Sequence, residues 1–244
     1  MRNLVLVARR EISAWFLSPF AYVVMAVYLF VTGLTFLVGV INAEGTTETV
    51  PSVLFGSVLF WLTVLISVVS MRLFAEERRS GTLELLMTVP LSEKEIVLGK
   101  YLGALVCLLV AVLPTIADAY ILKVFSPSLE TPETGAMVGG AVILVLLSAF
   151  GVAIGLVVSI MTRHQIAAAL VSFCAVWLAL LSGWLIGNVP LDVLRGLTET
   201  LAATRQIEDF ARGQVDTRVV VFYLSATTFL IFAGIRALES ERWR

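Results

Sequence analysis

Side chains able to do chemistry are scarce in this sequence of 244 residues, and their spacing excludes most chemistries. The single histidine, His164, stands beside Arg163, and one histidine makes neither a metal site nor a nucleophilic triad. Cys107 and Cys174 lie inside apolar runs, outside any C-x-x-C spacing, and read as small hydrophobes. No G-x-x-x-x-G-K-[ST] occurs. At Gly99-Lys100 the first glycine's place is held by Lys94, and Tyr101 follows, so nothing cradles a nucleotide. What remains is one charged stretch, 72–100, with five basic and five acidic side chains between two apolar runs. Such a stretch is built to dock, not to catalyse.

The stretch has punctuation of its own. A helix is expected to run out of the second apolar run through Glu76 and Arg79, with Ser80-Gly81 breaking it. A short second helix over 82–89 ends at Pro90. Ser92 and Glu95 then form a capping box that starts a third helix, each satisfying a free backbone donor at its N-terminus.

The rest of the chain must position that stretch in a membrane. Apolar residues make up 59% of the sequence and charged ones 14%, against about 45–50% and about 25% in soluble domains. Mean hydropathy is +0.98. The net charge of -1 argues against nucleic acid as a partner, which needs a basic surface. The fold class expected is an all-α integral membrane protein, a single transmembrane domain over 1–244. Six runs can span: about 20–41, 50–71, 98–120, 136–161, 165–187 and 218–237, each near the ~20 apolar residues a bilayer requires. Lys100 is expected to snorkel from the third and Pro114 to kink it. The fourth is longer than a bilayer needs, so loop, tilt or a glycine kink is expected within it. No carboxylate or lysine falls at mid-span, which counts against an ion-coupled pump.

Before the first span, 2–17 reads as an interfacial helix, with Leu4, Val5, Ala8, Ile12, Trp15 and Phe16 on one face and arginines on another. Twelve Lys and Arg fall on the side that holds both termini and the loop 72–97, and five on the other. The positive-inside rule therefore makes the termini and that loop cytoplasmic. The segment 188–217 is the second place where polar residues gather, and it is expected to form short helices at the outer interface. A lid over a pathway, a docking face and simple structural closure all fit it. Gly99 with Gly103, Gly151 with Gly155 and Gly183 with Gly187 mark places for close helix packing.

One set of residues goes further. The run Glu76-Glu77-Arg78-Arg79-Ser80-Gly81-Thr82-Leu83-Glu84-Leu85-Leu86, then Pro90-Leu91-Ser92 and Glu95-Ile96-Val97-Leu98-Gly99-Lys100, closely resembles the cytoplasmic loop of permease subunits of type-2 ABC exporters. The opening Arg9-Arg10-Glu11-Ile12-Ser13-Ala14-Trp15-Phe16 and the closing Phe210-Ala211-Arg212-Gly213 with Asp216 are similar to its gliding-motility-associated and nitrous-oxide-accessory branch.

The resemblance implies a permease subunit of the bacterial inner membrane, with no catalytic or cofactor site in this chain. A separate ABC ATPase would supply ATP and Mg, and a second permease copy or a paralogue would share the translocation path. An envelope or periplasmic protein could join at the outer face, with membrane lipid around the spans. It further implies a coupling helix over 80–89, seated in a groove of the ATPase. Glu77, Arg78 and Glu84 would be its polar contacts and Leu83, Leu85 and Leu86 its apolar anchor, with Ser80, Gly81, Thr82 and Pro90 setting its bounds. Arg163 and His164 would make a lesser contact. The alternative is a non-transporting anchor through which an ATPase does mechanical or assembly work on an envelope complex.

Overall fold

The computed structural model describes residues 2–43, 49–81, 92–125, 133–162, 164–187 and 203–242. Among them regular structure is helical throughout. Helix α1 is Arg2–Phe16, α2 Pro19–Ala43, α3 Val50–Ser70 and the short α4 Ala75–Ser80. Helix α5, Glu93–Val112, continues through a 3-10 turn at Leu113–Thr115 into α6, Ile116–Phe125. Then come α7 Thr134–Met161, α8 Gln165–Gly187, α9 Ala203–Ala211 and α10 Thr217–Arg242.

Among the described residues, five helical stretches are long and apolar enough to cross a membrane: Pro19–Ala43, Val50–Arg79, Glu93–Leu122, Thr134–Met161 and Thr217–Ser240. In α8 the apolar stretch is the shorter Gln165–Leu181. Helix α8, Gln165–Gly187, occupies the place of the fifth span expected. The all-helical, multi-pass class is as expected.

Helices α3 and α7 form the centre. The first packs against α2, α5, α7, α8 and α9, and the second against α3, α5, α8, α9 and α10. Lipid gives helices no hydrophobic reason to associate, so close van der Waals approach must hold them. Small residues on α7 allow it. A methyl group added at Gly155 would strike Ser70, and one at Gly151 would strike Ile66.

Three local expectations change. Helix α7 is continuous over 28 residues, about 42 Å at ~1.5 Å per residue, so its excess length contains no loop. The outward continuation of the second span is interrupted, because non-helical backbone at 71–74 separates α3 from α4. Pro114 acts locally: it tightens the chain into the 3-10 turn, where the Ile116 N–H donates to the Leu113 and Pro114 carbonyls.

Helix α9 is seated in the bundle, packed against α3, α7 and α8. It buries Ile207 and Phe210, and the Tyr223 hydroxyl donates to Gln206 Oε1 at 2.7 Å. Gly213, at φ 77°, ends it, its N–H donating to the Phe210 carbonyl. The part of the expected segment before it, 188–202, lies outside the described residues.

Candidate coupling site

The root of the charged stretch is built by four elements. Helix α3 delivers the chain to Phe74, the residue before α4, whose own side chain makes no capping hydrogen bond. The cap comes from across the bundle. Phe74 N–H and Ala75 N–H both donate to Ser159 Oγ, at 3.1 Å each. Ser159 is buried near the end of α7. A helix start needs outside acceptors for its first amides, so this one serine ties α4 to α7. Within α4 the first turn carries Glu76 and Glu77 and the last carries Arg78 and Arg79, as the helix dipole favours. Gly81 closes it in the left-handed conformation, φ 72°, which costs a residue with a Cβ about 1–2 kcal/mol.

Lys100 is the hub of the site. It is 2% exposed, and its Nζ donates to Glu11 Oε1 at 2.7 Å and stands 2.9 Å from Glu77 Oε1. The ammonium also lies 5.2 Å from the centre of the Phe74 ring, a cation–π distance. The expected snorkelling is therefore replaced by burial. Two carboxylates come to the lysine, so its charge is met inside the protein and it need not reach for water.

Glu11 can reach because α1 lies directly on α5. At Gly99 an added Cβ would meet Val7, and at Gly103 it would meet Glu11. The G-x-x-x-G pair is the floor on which α1 rests. Helix α1 turns Val7 and Glu11 toward α5 and leaves Val5 61% exposed. Beside this, Arg72 Nε pairs with Glu76 Oε2 at 2.8 Å, and its guanidinium lies 5.7 Å from the rings of both Trp15 and Phe20.

On the far side of the loop, α5 begins with the expected capping box. Glu95 N–H donates to Ser92 Oγ at 3.3 Å, and Ser92 N–H donates to Glu95 Oε2 at 3.3 Å. Both banks of the loop are thus fixed, one by Ser159 and Lys100, the other by Ser92 and Glu95.

Of the residues singled out in the sequence, Glu77 is turned into the ion cluster, Arg78 lies on α4 with its N–H on the Phe74 carbonyl, and Ser80 is the last residue of α4. Gly81 is its cap. Thr82, Leu83, Glu84, Leu85, Leu86 and Pro90 lie outside the described residues, as does Arg163. His164 is exposed, and its carbonyl accepts the Ala168 N–H at the start of α8. It lies five positions after Ser159, and α4 packs against α8. The loop root and His164 therefore share one end of the bundle.

Three residues of the cluster were not among those singled out: Lys100 as an ion-pair partner, Glu11 and Ser159. A signal existed for the first two. A lysine flanked by Gly99 and Gly103 has a groove beside it, and Glu11 is the only acid in the opening helix. Ser159 gives no such signal, because a serine in an apolar run more often bonds its own helix.

Residues 20–212 match the family described as ABC-2 family transporter protein. A search of the curated proteins returns no match. The matched span includes α4, α5 and α7, and leaves α1 with Glu11 outside it.

Proposed function

The chain belongs to the ABC-2 family transporter proteins, and from that premise we propose that its loop 72–100 couples a bundle of membrane spans to the ATPase. Family membership makes it an ABC permease subunit, a multi-pass membrane protein whose partner is an ABC ATPase subunit. The observation that carries the coupling role is the anchoring of the loop's root. Glu77, next to the proposed docking segment, is held 2.9 Å from Lys100 of α5, and the first amides of α4 are held by Ser159 of α7. A push on the segment 82–90 would reach three spans through short, buried contacts, and movement of packed elements is how such bundles switch.

In this reading the docking helix covers 80–89. Leu83, Leu85 and Leu86 enter an apolar groove of the ATPase, and Glu77, Arg78 and Glu84 set its orientation. Arg163 and His164 add a second contact at the same end. Two permeases, identical or paralogous, enclose the path, and ATP and Mg are bound by the partner. The chain lies in the bacterial inner membrane with both termini cytoplasmic and with 188–217 at the outer face. The gliding-motility and nitrous-oxide-accessory branch is the reading for its closer kinship. Family membership favours transport over the anchoring role.

The test is copurification with candidate ATPases and measurement of ATP hydrolysis in vesicles, before and after Leu83→Asp and Glu84→Ala. Loss of ATPase binding or of permease-dependent hydrolysis is expected. Unchanged binding and turnover in both variants would overturn the assignment.

A further inference from the structure

A cavity of about 780 Å³ lies between α2, the first half of α3 and α9. It stands at the end of the bundle opposite the loop root, because α3 runs from the cavity, at Ser52 to Trp61, to its own end at Ser70 ahead of α4. The helices meet at its edge and part within it. A Cβ added at Gly39 would strike Val53, whereas one added at Gly56, about a turn further along α3, would meet nothing within 4 Å. The open space therefore begins at a tight α2–α3 contact and reaches the α3 backbone.

Three kinds of group line it. Ser52, Ser57 and Thr35 supply hydroxyls whose protons are already spent. They donate to the carbonyls of Thr49 and Leu54, at 2.7 Å each, and of Val31, at 2.9 Å. Their oxygens remain as acceptors. Glu208 and Arg212, both exposed and one helical turn apart, form no ion pair among the described residues. Each charge stays available, and the two cancel. Phe60 and Trp61 make an aromatic wall. The Phe60 ring stands nearly at right angles to those of Trp61, Phe173 and Trp177, with centroids 5.0, 6.2 and 5.3 Å away, and the residue is still 40% exposed. Its orientation is held while part of its surface stays open.

This set selects by elimination. A bare cation would face Arg212 and a bare anion would face Glu208, so a single charge of either sign is disfavoured. A wholly apolar occupant would cover the acceptors without giving them donors, which costs free energy. A peptide brings a carbonyl with every N–H and adds acceptors where acceptors already predominate. A sugar ring brings hydroxyls, each able to donate to Ser52, Ser57, Thr35 or Glu208 and to accept from Arg212. It also brings a flat face of C–H bonds for the electron-rich face of an aromatic ring. We propose that this cavity binds a neutral sugar ring, carried either by a glycolipid headgroup or by a free glycan.

The test uses the purified full chain in a polyoxyethylene detergent, which contains no sugar. Native mass spectrometry follows titration with monoglucosyl diacylglycerol, and with diacylglycerol and phosphatidylglycerol of the same acyl chains. Gly56→Leu fills the cavity from a position that has room for the side chain. Glu208→Gln keeps the size of an exposed side chain and removes the charged acceptor. The glycolipid is expected to bind in preference to the other two lipids, and about tenfold more weakly in each variant, the effect of one hydrogen bond to a charged group in the case of Glu208→Gln. Unchanged glycolipid binding in Glu208→Gln overturns the site, whether or not Gly56→Leu folds. Equal retention of diacylglycerol assigns the cavity to acyl chains, and equal retention of phosphatidylglycerol assigns it to an anion; either overturns the sugar assignment. Where the glycolipid binds as expected, displacement by maltose supports the free-glycan form and persistence supports the headgroup form. The cavity lies at the far end from loop 72–100 and no ATPase is present, so a failure here leaves the coupling role standing.

Discussion

Lys100 of α5 and Glu77 of α4 stand 2.9 Å apart, with the lysine 2% exposed, and they are 23 positions apart in a chain whose loop runs between them. The pair closes the base of that loop. Glu11, 2.7 Å from the same ammonium, brings α1 into the closure. Helices α1, α4 and α5 thus meet at Lys100 Nζ.

Removing that atom is expected to be costly. Lys100→Met preserves the length of the side chain and leaves Glu11 and Glu77 facing each other, one of them 16% exposed. Breaking a buried pair on one side costs about 3–5 kcal/mol, reduced here by the water that still reaches both carboxylates. Neutralising all three, Lys100→Met with Glu11→Gln and Glu77→Gln, is expected to recover most of it. Thermal unfolding in one detergent across this cycle measures the coupling. A triple variant no more stable than Lys100→Met would show that the charges are not interacting.

Ser159→Ala separates the cap from the packing. The change removes one oxygen from a buried site and leaves Phe74 N–H and Ala75 N–H without an acceptor. A buried unsatisfied donor costs about 1–3 kcal/mol. The expected sign is local: faster amide hydrogen exchange at residues 74–78 with the spans unchanged, and weaker stimulation of the ATPase. Uniform exchange across α4 in both chains would remove Ser159 from the coupling path.

The degree to which this arrangement could be read in the sequence follows from what each feature depends on. Composition and run length depend on the solvent, and they gave the helical, multi-pass class. The capping box at Ser92 and Glu95 and the stop at Gly81 are short-range, set by residues within three or four positions, and both are present. Gly99 and Gly103 announced a close approach but not the partner, since small residues say that something fits and not what. The ion cluster needs contacts 89 positions apart, between Glu11 and Lys100, and sequence order carries no such information. Lys100 near a span end looked like a snorkelling lysine for that reason. The cap on α4 was hidden more deeply, because Ser159 lies 84 positions from Ala75 in an otherwise apolar helix.

Gly103→Leu tests whether α1 must lie on α5 for the cluster to form. A Cβ at this position would already meet Glu11 Cβ and the Ala8 carbonyl, so a leucine forces α1 away from its bed. Overpacking of this kind costs about 1–3 kcal/mol, and the displaced helix takes Glu11 away from Lys100. The expected outcome is therefore two linked losses. Destabilisation should match that of Glu11→Gln plus the steric term, and cleavage by a protease in residues 2–16 should accelerate. Adding Glu11→Gln to Gly103→Leu should then change little further, since the contact it removes is already gone. An additive double variant would mean that α1 can shift on α5 while Glu11 keeps hold of Lys100, and that the glycine pair is not what positions the carboxylate.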